Sequence, residues 1–416
     1  MAVTQQLSSA FPLGSRVNER GVLELGGCDA LELAREFGTP AYVVSEDDLR
    51  ARARAVVAAY AARTDDFEVL FASKAFPCTA VFRTLYEEGI GSDVASGGEL
   101  TLALAAGVDP ARIYLHGNAK SEAELRLAVE RGVGHVVVDN LDEVDKLERV
   151  VRDRQRVLIR VTPDVRGETH HAISTGQADS KFGFSMQDAP EAIARLQASD
   201  KLELVGLHVH IGSQLLDVTP FVKGVEALSE LADLPQINVG GGLGVTYTDE
   251  RPPSIEDYVN AKVDAIESWL GPGKRIVDEP GRALVANSTV TLYTVESVKR
   301  NVSTWVAVDG GMSDNLRPML YGSRYEAHVV DRLGGTTPCH LAGKHCESGD
   351  VIVRDALLDD PRAGDVVVTP ATGGYGHALA NNYNGVPRPP VVFVKDGDAR
   401  VVVRRETYED LLARDV

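Results

Sequence analysis

The chain from Glu46 to about Ser288 alternates short apolar runs with longer segments in which apolar residues recur every three or four positions. Short apolar runs are typical of buried parallel strands, and the longer spacing is typical of helices with one buried face. The predicted strands are Val69–Ser73, Ile90–Val94, Arg112–Leu115, His135–Val138, Val157–Val161, Leu204–Val209, Gln236–Val239 and Arg275–Val277. The predicted helices are Cys78–Glu88, Gly98–Ala106, Ser121–Arg131, Leu141–Asp153, Ala189–Ala198, Thr219–Ala232 and Ser254–Leu270. This pattern predicts an α/β fold with a (β/α)8 TIM-type barrel, and a doubly wound open sheet is the alternative.

The pattern changes at both ends of the chain. Residues 1–45 contain short extended pieces, a helical patch over Asp29–Phe37 and a strand pattern over Ala41–Ser45. Beyond Ser288, valine-rich runs broken by Gly, Pro and Asp predict strands over Trp305–Val308, Val351–Arg354, Val366–Thr369, Val391–Val394 and Arg400–Val403. We therefore predict a barrel over 46–288 and a mostly antiparallel β domain, like a β-sandwich or β-barrel, built from 1–45 and 289–416.

Composition and charge limit the class of protein. The chain has 416 residues, which is long for one compact core, and its 44% hydrophobic and 25% charged residues are ordinary for a globular protein. The formal net charge of −18 argues against nucleic acid or an anionic membrane as a partner. An anionic ligand would therefore need its own local group of hydrogen-bond donors.

The four cysteines, Cys28, Cys78, Cys339 and Cys346, form no CxxC pair, which argues against a disulfide framework and a zinc ribbon. The first residues lack the pattern of a signal peptide, and no apolar run reaches the roughly 18 residues that span a bilayer. These features predict a cytoplasmic protein.

Lys74 stands just past an apolar run, where burying its ammonium would be costly. Such a lysine either forms a Schiff base or extends to solvent, and the run alone favours the second alternative. Barrel chemistry gathers at the carboxyl ends of the strands. Those ends carry Lys74, Asp93, Asn118, Asp139, Arg160, His210, Gly240–Gly242 and Glu279. Together they predict a polar mouth on an apolar barrel.

Several of these positions suit a flat, phosphorylated cofactor. Gly240–Gly242 would let backbone N–H groups approach a phosphate, and Ser213 adds a hydroxyl one strand earlier. His208 and His210 share a face and could bind a metal, but they lack further ligands at metal spacing, so we predict no metal site. Glu279 could pair with a pyridine nitrogen, or form a structural pair with Arg282.

In the second domain, Arg317 and Tyr321 suit a substrate carboxylate. Cys346, beside Glu347 in Cys-Glu-Ser-Gly-Asp, is equally consistent with a proton donor and with a small core residue.

These motifs, in this order, resemble the pyridoxal-phosphate decarboxylases with an alanine-racemase-like barrel (group IV), and within them the diaminopimelate decarboxylases. The resemblance extends from Gly38-Thr-Pro40 to Asn382-Tyr-Asn384. It implies that Lys74 forms the Schiff base with pyridoxal 5′-phosphate, that His210 stacks on its ring and that Glu279 pairs with its ring nitrogen. It also implies that the cofactor phosphate is held by Ser213, Gly240, Gly241, Gly242 and Tyr375.

For the substrate, the resemblance implies that Arg282, Arg317 and Tyr321 hold carboxylate groups, with Tyr375 beside them, and that Glu347 binds the distal amino group. Cys346 would protonate the substrate Cα after loss of CO2. It implies a homodimer in which Cys346 reaches the partner's site. The expected reaction is decarboxylation of meso-diaminopimelate to L-lysine, the last step of lysine biosynthesis.

Three alternatives stay open at this point. The chain could decarboxylate ornithine, arginine or carboxynorspermidine, could bind the cofactor without catalysis, or could be a Schiff-base aldolase without cofactor. Departures from many relatives occur at Phe76, Lys344-His345, Gly374 and Arg324-Tyr325. None of them removes a catalytic group, but the charges of Lys344 and His345 bear on the acidity of Cys346 and on substrate choice.

Overall fold

A computed structural model describes residues 7–163, 165 and 180–416. Its internal contacts divide the described chain into two units. The barrel unit comprises Arg52–Gly244 and Arg251–Ala283, and the β unit comprises the described residues up to Ala51, Val245–Glu250 and Leu284–Val416. The predicted domain boundaries at 46 and 288 stay a prediction.

The strands and helices of the described chain follow in chain order. The strands are β1 (Arg16–Val17), β2 (Leu23–Leu25), β3 (Cys28–Asp29), β4 (Ala41–Ser45), β5 (Phe67–Ala72), β6 (Gly91–Val94), β7 (Ile113–Leu115), β8 (His135–Val138), β9 (Gln155–Thr162), β10 (Phe184–Ser185), β11 (Leu202–Val209), β12 (Gln236–Asn238), β13 (Arg275–Asp278), β14 (Thr289–Arg300), β15 (Thr304–Val308), β16 (His328–Val329), β17 (Thr337–Ala342), β18 (Val351–Leu358), β19 (Val366–Pro370), β20 (Val391–Lys395) and β21 (Asp398–Val403). The helices are α1 (Ala30–Phe37), α2 (Glu46–Ala61), α3 (Thr79–Glu87), α4 (Gly97–Ala105), α5 (Glu122–Arg131), α6 (Leu141–Val150), α7 (Ala189–Gln197), α8 (Thr219–Leu228), α9 (Ile255–Trp269), α10 (Arg282–Val285), α11 (Arg317–Tyr321), α12 (Gly376–Leu379) and α13 (Tyr408–Leu412).

The barrel unit is a closed parallel sheet. Strands β5, β6, β7, β8, β9, β11, β12 and β13 pair in this order, and β13 pairs with β5 to close the ring. Asp278 lies opposite Val69 at the closure. The predicted α/β fold, a (β/α)8 barrel with a mostly antiparallel β domain, is confirmed, and the open-sheet alternative is wrong.

Barrel helices begin and end at residues whose side chains or backbone satisfy the free groups of the first and last turns. Ser121 and Glu124 form a capping box at the start of α5, and Gly132 adopts the left-handed conformation at its end. Ser254 caps α9 by accepting from the Asp257 N–H. Inside the ring, a buried apolar cluster fills the barrel centre, and the polar residues follow the strands at one end of this core. This cluster comprises Leu70, Tyr114, Val137, Leu158 and Val277.

The β unit is organised around β14, the longest strand. Its first half pairs antiparallel with β4 and β19, and its second half pairs antiparallel with β15. Two pairings in this sheet are parallel, β4 with β20 and β15 with β17. In the described chain, no helix is long and apolar enough to cross a membrane.

Candidate active site

Lys74 lies at the carboxyl end of β5, in a short 3-10 turn over Ser73–Ala75, and its side chain is exposed. Two contacts fix this turn. The Ser73 hydroxyl donates to Glu99 Oε2 at 2.8 Å, and the Ala72 N–H donates to the Pro280 carbonyl at 3.3 Å. The lysine amine is therefore presented at the barrel mouth beside the segment that carries Glu279.

Glu279 follows β13 and is a buried carboxylate with three partners. It accepts from Asn238 Nδ2 at 2.6 Å, and its oxygens lie 2.8 Å from His116 Nε2 and 3.2 Å from His208 Nε2. Burial alone would raise the pKa of Glu279, but the neighbouring His116 and His208 side chains outweigh it and hold the pKa well below its ordinary value. The carboxylate is ionised at neutral pH.

His116 and Asp93 extend this cluster. Burial raises the pKa of Asp93 to about 6, and His116 opposes the rise. Burial lowers the pKa of His116, but Asp93 and Glu279 more than compensate, so it is raised overall. Burial also lowers the pKa of His208 to about 4, so at neutral pH this ring is neutral. His116, with its raised pKa, thus lies between two carboxylates.

His116 was not among the residues chosen from the sequence. It directly follows β7, and its N–H donates to the Val94 carbonyl at 2.8 Å. The predicted strand-end residue there was Asn118, two positions further on. The available signal was a histidine immediately after an apolar strand.

The ligand atoms of His116, His208 and Glu279 all lie within 4.8 Å of one another, which is compatible with a metal ion. The metal pair considered from the sequence was instead His208 with His210. His210 is not part of the His116–His208–Glu279 group. Its Nδ1 instead accepts from the Gly241 N–H at 3.3 Å. In this structure His208 Nε2 hydrogen-bonds to the Glu279 carboxylate, whereas His116 Nε2 lies 2.8 Å from it as an ion-pair contact. The prediction of no metal site stays a prediction.

The Gly240–Gly242 turn after β12 leaves no room for side chains. A Cβ atom on Gly241 would lie 2.0 Å from the Glu279 carbonyl oxygen, and one on Gly240 would lie 2.5 Å from the Val209 carbonyl oxygen. Gly240 has φ +59°, which also favours glycine. Backbone can approach a ligand closely here, as a phosphate site requires.

Ser213 and Arg282 meet at the same mouth. Arg282 is buried at the start of α10, and its Nη2 donates to Ser213 Oγ at 2.9 Å. Arg282 is therefore linked to a residue chosen as a phosphate ligand, although it was itself chosen as a substrate ligand. Burial, with the charges of Lys74 and Arg160, holds the pKa of His210 well below its ordinary value, so this ring is neutral.

In the β unit, Arg317 is buried at the start of α11. Its guanidinium carbon lies 4.7 Å from the centre of the Tyr247 ring and 5.6 Å from that of Tyr325, and it donates to the Tyr325 hydroxyl. Within the described residues its Nε has no hydrogen-bond partner. A buried guanidinium fixed between aromatic rings, with a donor to spare, suits a carboxylate ligand.

The sequence singled out Tyr321 beside Arg317, and the structure places Tyr321 half-buried at the end of α11. The tyrosines in contact with the guanidinium are Tyr247 and Tyr325, which the sequence did not indicate. Burial lowers the pKa of Arg317, but the neighbouring tyrosines, Tyr375 among them, raise it overall. Tyr375 has φ +67° and precedes α12.

Cys346 lies on an exposed turn of the β unit, whereas Cys28, Cys78 and Cys339 are buried. The Cys346 N–H donates to Asn384 Oδ1 at 3.0 Å. The alternative that Cys346 is a core residue is therefore excluded for the single chain. Glu347 follows on the same turn and is half-buried, with its N–H donating to the His345 carbonyl at 2.7 Å.

Asp350 fixes this turn from inside. Its carboxylate accepts from the Met312 N–H at 2.7 Å, the His345 N–H at 2.9 Å and His345 Nδ1 at 2.7 Å. The His345 ring is buried against Tyr383, at a centroid distance of 5.9 Å, while Lys344 is exposed. The histidine before Cys346 thus points into the protein and supports the turn.

Comparisons with known proteins identify the family and the fold. Residues 46–286 match the family described as "Pyridoxal-dependent decarboxylase, pyridoxal binding domain". The chain is 47% identical to the diaminopimelate decarboxylase of Actinosynnema pretiosum over 98% of this chain and 95% of that protein. It is 43% identical to that of Bacillus subtilis, over 97% of each. Its fold is similar to the crystal structure of diaminopimelate decarboxylase from M. jannaschii in co-complex with L-lysine, with a TM-score of 0.91, 33% identity and 97% of each chain covered.

Proposed function

The chain belongs to the pyridoxal-dependent decarboxylase family, and we propose that it converts meso-2,6-diaminopimelate to L-lysine and CO2 with pyridoxal 5′-phosphate as its cofactor. The observation that carries this proposal is the ionised, buried Glu279 at the barrel mouth, in the same ring of strand ends as Lys74 and Gly240–Gly242. A pyridine nitrogen, an aldehyde and a phosphate each have a suited partner there.

These residues fit the cofactor on structural grounds. Lys74 would attach it covalently, Glu279 would hold its ring nitrogen protonated, and the side-chain-free Gly240–Gly242 turn with Ser213 would hold its phosphate. The neutral ring of His210 would lie against its face. When bound, the cofactor supplies an electron sink for the negative charge that develops at Cα as CO2 leaves.

The proposed substrate has a second carboxylate, and Arg317 supports it. Its Nε is unpaired among the described residues, and a permanent cation there would repel the distal ammonium of ornithine or the guanidinium of arginine. We assign the distal amino group of diaminopimelate to Glu347, and carboxylate contacts to Arg282, Tyr321 and Tyr375. This choice favours a substrate that has a carboxylate and an amine at each end.

Cys346 is proposed to return a proton to Cα from its thiol. The turn that holds it is bonded through Asp350 and Asn384, so the backbone that carries the thiol is held in place. Proton transfer needs a donor at hydrogen-bond distance from the reacting carbon, and a fixed, exposed thiol can meet this condition once another surface covers it.

We propose that a second copy of this chain provides that surface. A groove of about 680 Å³ runs beside the Cys346 turn, between α11 and β18. Two large apolar side chains that are about half exposed line it, Met319 (46%) and Leu357 (55%). Exposed apolar clusters of this kind mark protein interfaces. In this arrangement Cys346 and Glu347 serve the barrel mouth of the partner.

Mixed dimers test the shared site. Lys74→Ala and Cys346→Ala chains are each expected to be inactive, and unfolding and refolding them together should restore about one quarter of wild-type activity, because half of randomly paired dimers are mixed and each has one intact site. If each variant still binds the cofactor or refolds as a dimer and the mixture stays inactive, the result would contradict the shared site. It would not bear on the proposed reaction itself.

The reaction is tested with purified protein and added pyridoxal phosphate. We expect CO2 and L-lysine in equal amounts from meso-diaminopimelate, with ornithine and arginine turned over at least about a hundredfold less efficiently, as the loss of a charge-assisted contact and a new repulsion would give. Preference for ornithine or arginine would contradict the substrate. Tight cofactor binding without turnover of any substrate would favour a non-catalytic relative. A cytoplasmic location stays a prediction.

A further inference from the structure

Lys262 on α9 is a fully buried cation in the barrel unit. Its Nζ donates to Asp278 Oδ1 at 2.7 Å, to the Gly240 carbonyl at 3.1 Å and to the Tyr258 hydroxyl. The Phe221 ring covers the ammonium at 4.8 Å from its centroid. Burying a lysine ammonium away from solvent is rare and costs free energy unless the charge is paired.

The carboxylate that pairs with this ammonium, Asp278, also contacts the backbone of Glu279. Asp278 is fully buried and also accepts from the Tyr60 hydroxyl at 3.0 Å and the Tyr258 hydroxyl at 2.8 Å. Its Oδ1 accepts the Glu279 N–H at 3.0 Å. The same Glu279 N–H lies 3.1 Å from the Gly240 carbonyl oxygen, which is the oxygen that Lys262 contacts.

The Gly240 carbonyl is therefore held by two donors, one from α9 and one from the residue that would pair with the cofactor ring. This carbonyl and the Gly241 N–H belong to one peptide unit. Drawing electron density toward the carbonyl oxygen makes that N–H a stronger donor, because hydrogen bonds along one peptide unit reinforce each other. A cation behind the turn thus fixes the turn, and the N–H that it strengthens is the one that donates to His210 Nδ1 at 3.3 Å and so holds that ring beside the turn.

A second buried ion pair in the same unit contacts backbone carbonyls outside the glycine turn. Lys120 Nζ donates to Glu143 Oε1 and to the Gly117 and Val137 carbonyls, all at 2.7 Å. Both lysines are buried and both have a carboxylate and backbone carbonyls as partners. The difference is location, since the carbonyls that Lys120 contacts belong to Gly117, in the loop after β7, and to Val137 in β8, outside the glycine turn.

We propose that Lys262 is a positioning residue for the phosphate of the bound cofactor. Through the Gly240 carbonyl it holds the Gly240–Gly242 turn in the shape that receives a phosphate, and through Asp278 it ties that turn to Glu279. The inference rests on the proposed function, because it takes the glycine turn as the phosphate site. Lys262 itself does not contact the ligand.

The test separates phosphate binding from general stability. The cofactor-free protein is titrated with pyridoxal 5′-phosphate and with pyridoxal, which lacks the phosphate, and both dissociation constants are measured by absorbance. For Lys262→Met, we expect affinity for pyridoxal 5′-phosphate to fall roughly tenfold or more, as expected for losing a hydrogen bond from a charged group, while affinity for pyridoxal changes less than about twofold.

Lys262→Met leaves Asp278 charged and unpaired, which could prevent folding, so a second variant decides in that case. Lys262→Met/Asp278→Asn carries neither charge, and the amide oxygen can still accept from Tyr258 and Glu279. It should show the same selective loss for pyridoxal 5′-phosphate. Lys120→Met is the matched control and should leave the ratio of the two affinities unchanged.

Four outcomes would overturn the inference. Equal losses for both compounds would show a general structural role, as would the same selective loss in Lys120→Met. An unchanged ratio in the double variant would show that the turn does not need Lys262. A wild-type protein that binds neither compound would instead contradict the proposed function, and the inference with it.

Discussion

His116 is a residue on which the chemistry of the barrel mouth depends. It shares Glu279 with His208 and holds this carboxylate ionised in a buried place. We expect His116→Asn to weaken the protonation of the cofactor ring nitrogen and to lower kcat by roughly tenfold to a hundredfold, which corresponds to about 1.5–3 kcal/mol for a hydrogen bond to a charged group.

Steady-state kinetics and the pH dependence of the cofactor absorbance check this prediction. His135 provides the control, because it is buried at the start of β8 and stacks on Tyr114 at 4.1 Å, outside the strand-end cluster. His135→Asn should change stability but not the absorbance profile. A His116→Asn protein with wild-type kcat and absorbance would show that Glu279 needs no help from this ring.

Asp314 gives the β unit a pH-dependent stability. Burial raises its pKa to about 7, although hydrogen bonds from the Tyr293 hydroxyl and the Gly311 N–H oppose the rise. The native state therefore binds more protons than the unfolded state between about pH 4 and pH 7, where an ordinary aspartate is already ionised. Stability from this group is fully present below that range and is lost as the pH rises through it.

Asp314→Asn removes this dependence. Relative to wild type, the variant should gain stability on going from pH 5 to pH 8, and urea unfolding at both pH values measures the change. Any change in unfolding free energy that the amide causes equally at both pH values cancels when the two values are compared. Asp47→Asn, at an exposed position, should show no such change. If the Asp314→Asn and wild-type stabilities run parallel with pH, Asp314 is not the titrating group.

For single residues, the sequence predicted the site residues that directly follow apolar strands. Lys74, Gly240–Gly242 and Glu279 could be chosen because a parallel barrel brings strand ends together, whatever their distance in sequence. His116 has the same placement but was passed over for Asn118. Tyr247 could not be predicted, because its contact with Arg317 depends on how a loop after β12 folds into the β unit.

Among the elements, α11 holds its first residue in a fixed orientation. Arg317 lies between two aromatic rings, and a lysine cannot stack in the same way or offer a planar pair of donors. Arg317→Lys should raise the KM for meso-diaminopimelate by roughly tenfold while cofactor affinity stays unchanged. Arg324→Lys is the control, since Arg324 is exposed and forms a surface ion pair with Asp249 at 3.5 Å. An unchanged KM in Arg317→Lys would remove Arg317 from the substrate site.

The turn before β18 is the second element with a sharp prediction. Asp350 is buried and accepts two backbone N–H groups and the His345 ring, so Asp350→Ala leaves these donors without their acceptor. We expect a loss of about 2 kcal/mol or more in unfolding free energy and a strong fall in activity. Asp398→Ala, at an exposed position of β21, is the control.

Urea unfolding and the alkylation rate of Cys346 measure both effects of Asp350→Ala. A turn that is no longer fixed should change the alkylation rate as well as the stability. Wild-type activity in a destabilised Asp350→Ala protein would mean that the position of Cys346 does not depend on this carboxylate.

The barrel strands were predicted well because a strand buried on both faces is a continuous apolar run. Helix α2 and strand β14 were not predicted. The α2 sequence is rich in Ala and Arg and has a weak apolar face, and β14 is buried only over its first half. Where a strand leaves the core midway, the spacing of its apolar residues changes within the strand. Neither the two-residue period of a strand nor the continuous apolar run of a buried strand then holds over its whole length.

In the molecule as a whole, the residues chosen from the sequence fall into two groups, each brought together within its own unit. The barrel unit holds Lys74, His210, Gly240–Gly242 and Glu279, and the β unit holds Arg317 with the Cys346 turn. The negative net charge of −18 agrees with local binding of anions by these groups rather than by a generally basic surface. The division of labour we propose is cofactor binding in the barrel and substrate recognition with proton return from the β unit.

The attachment point of the cofactor tests this account most directly. The loaded protein is reduced with borohydride, digested and analysed by mass spectrometry. The account predicts a pyridoxyl group on Lys74 and its loss in Lys74→Ala, with Lys120 and Lys262 unmodified. A pyridoxyl group on any other lysine, or none in a protein that decarboxylates meso-diaminopimelate, would contradict it.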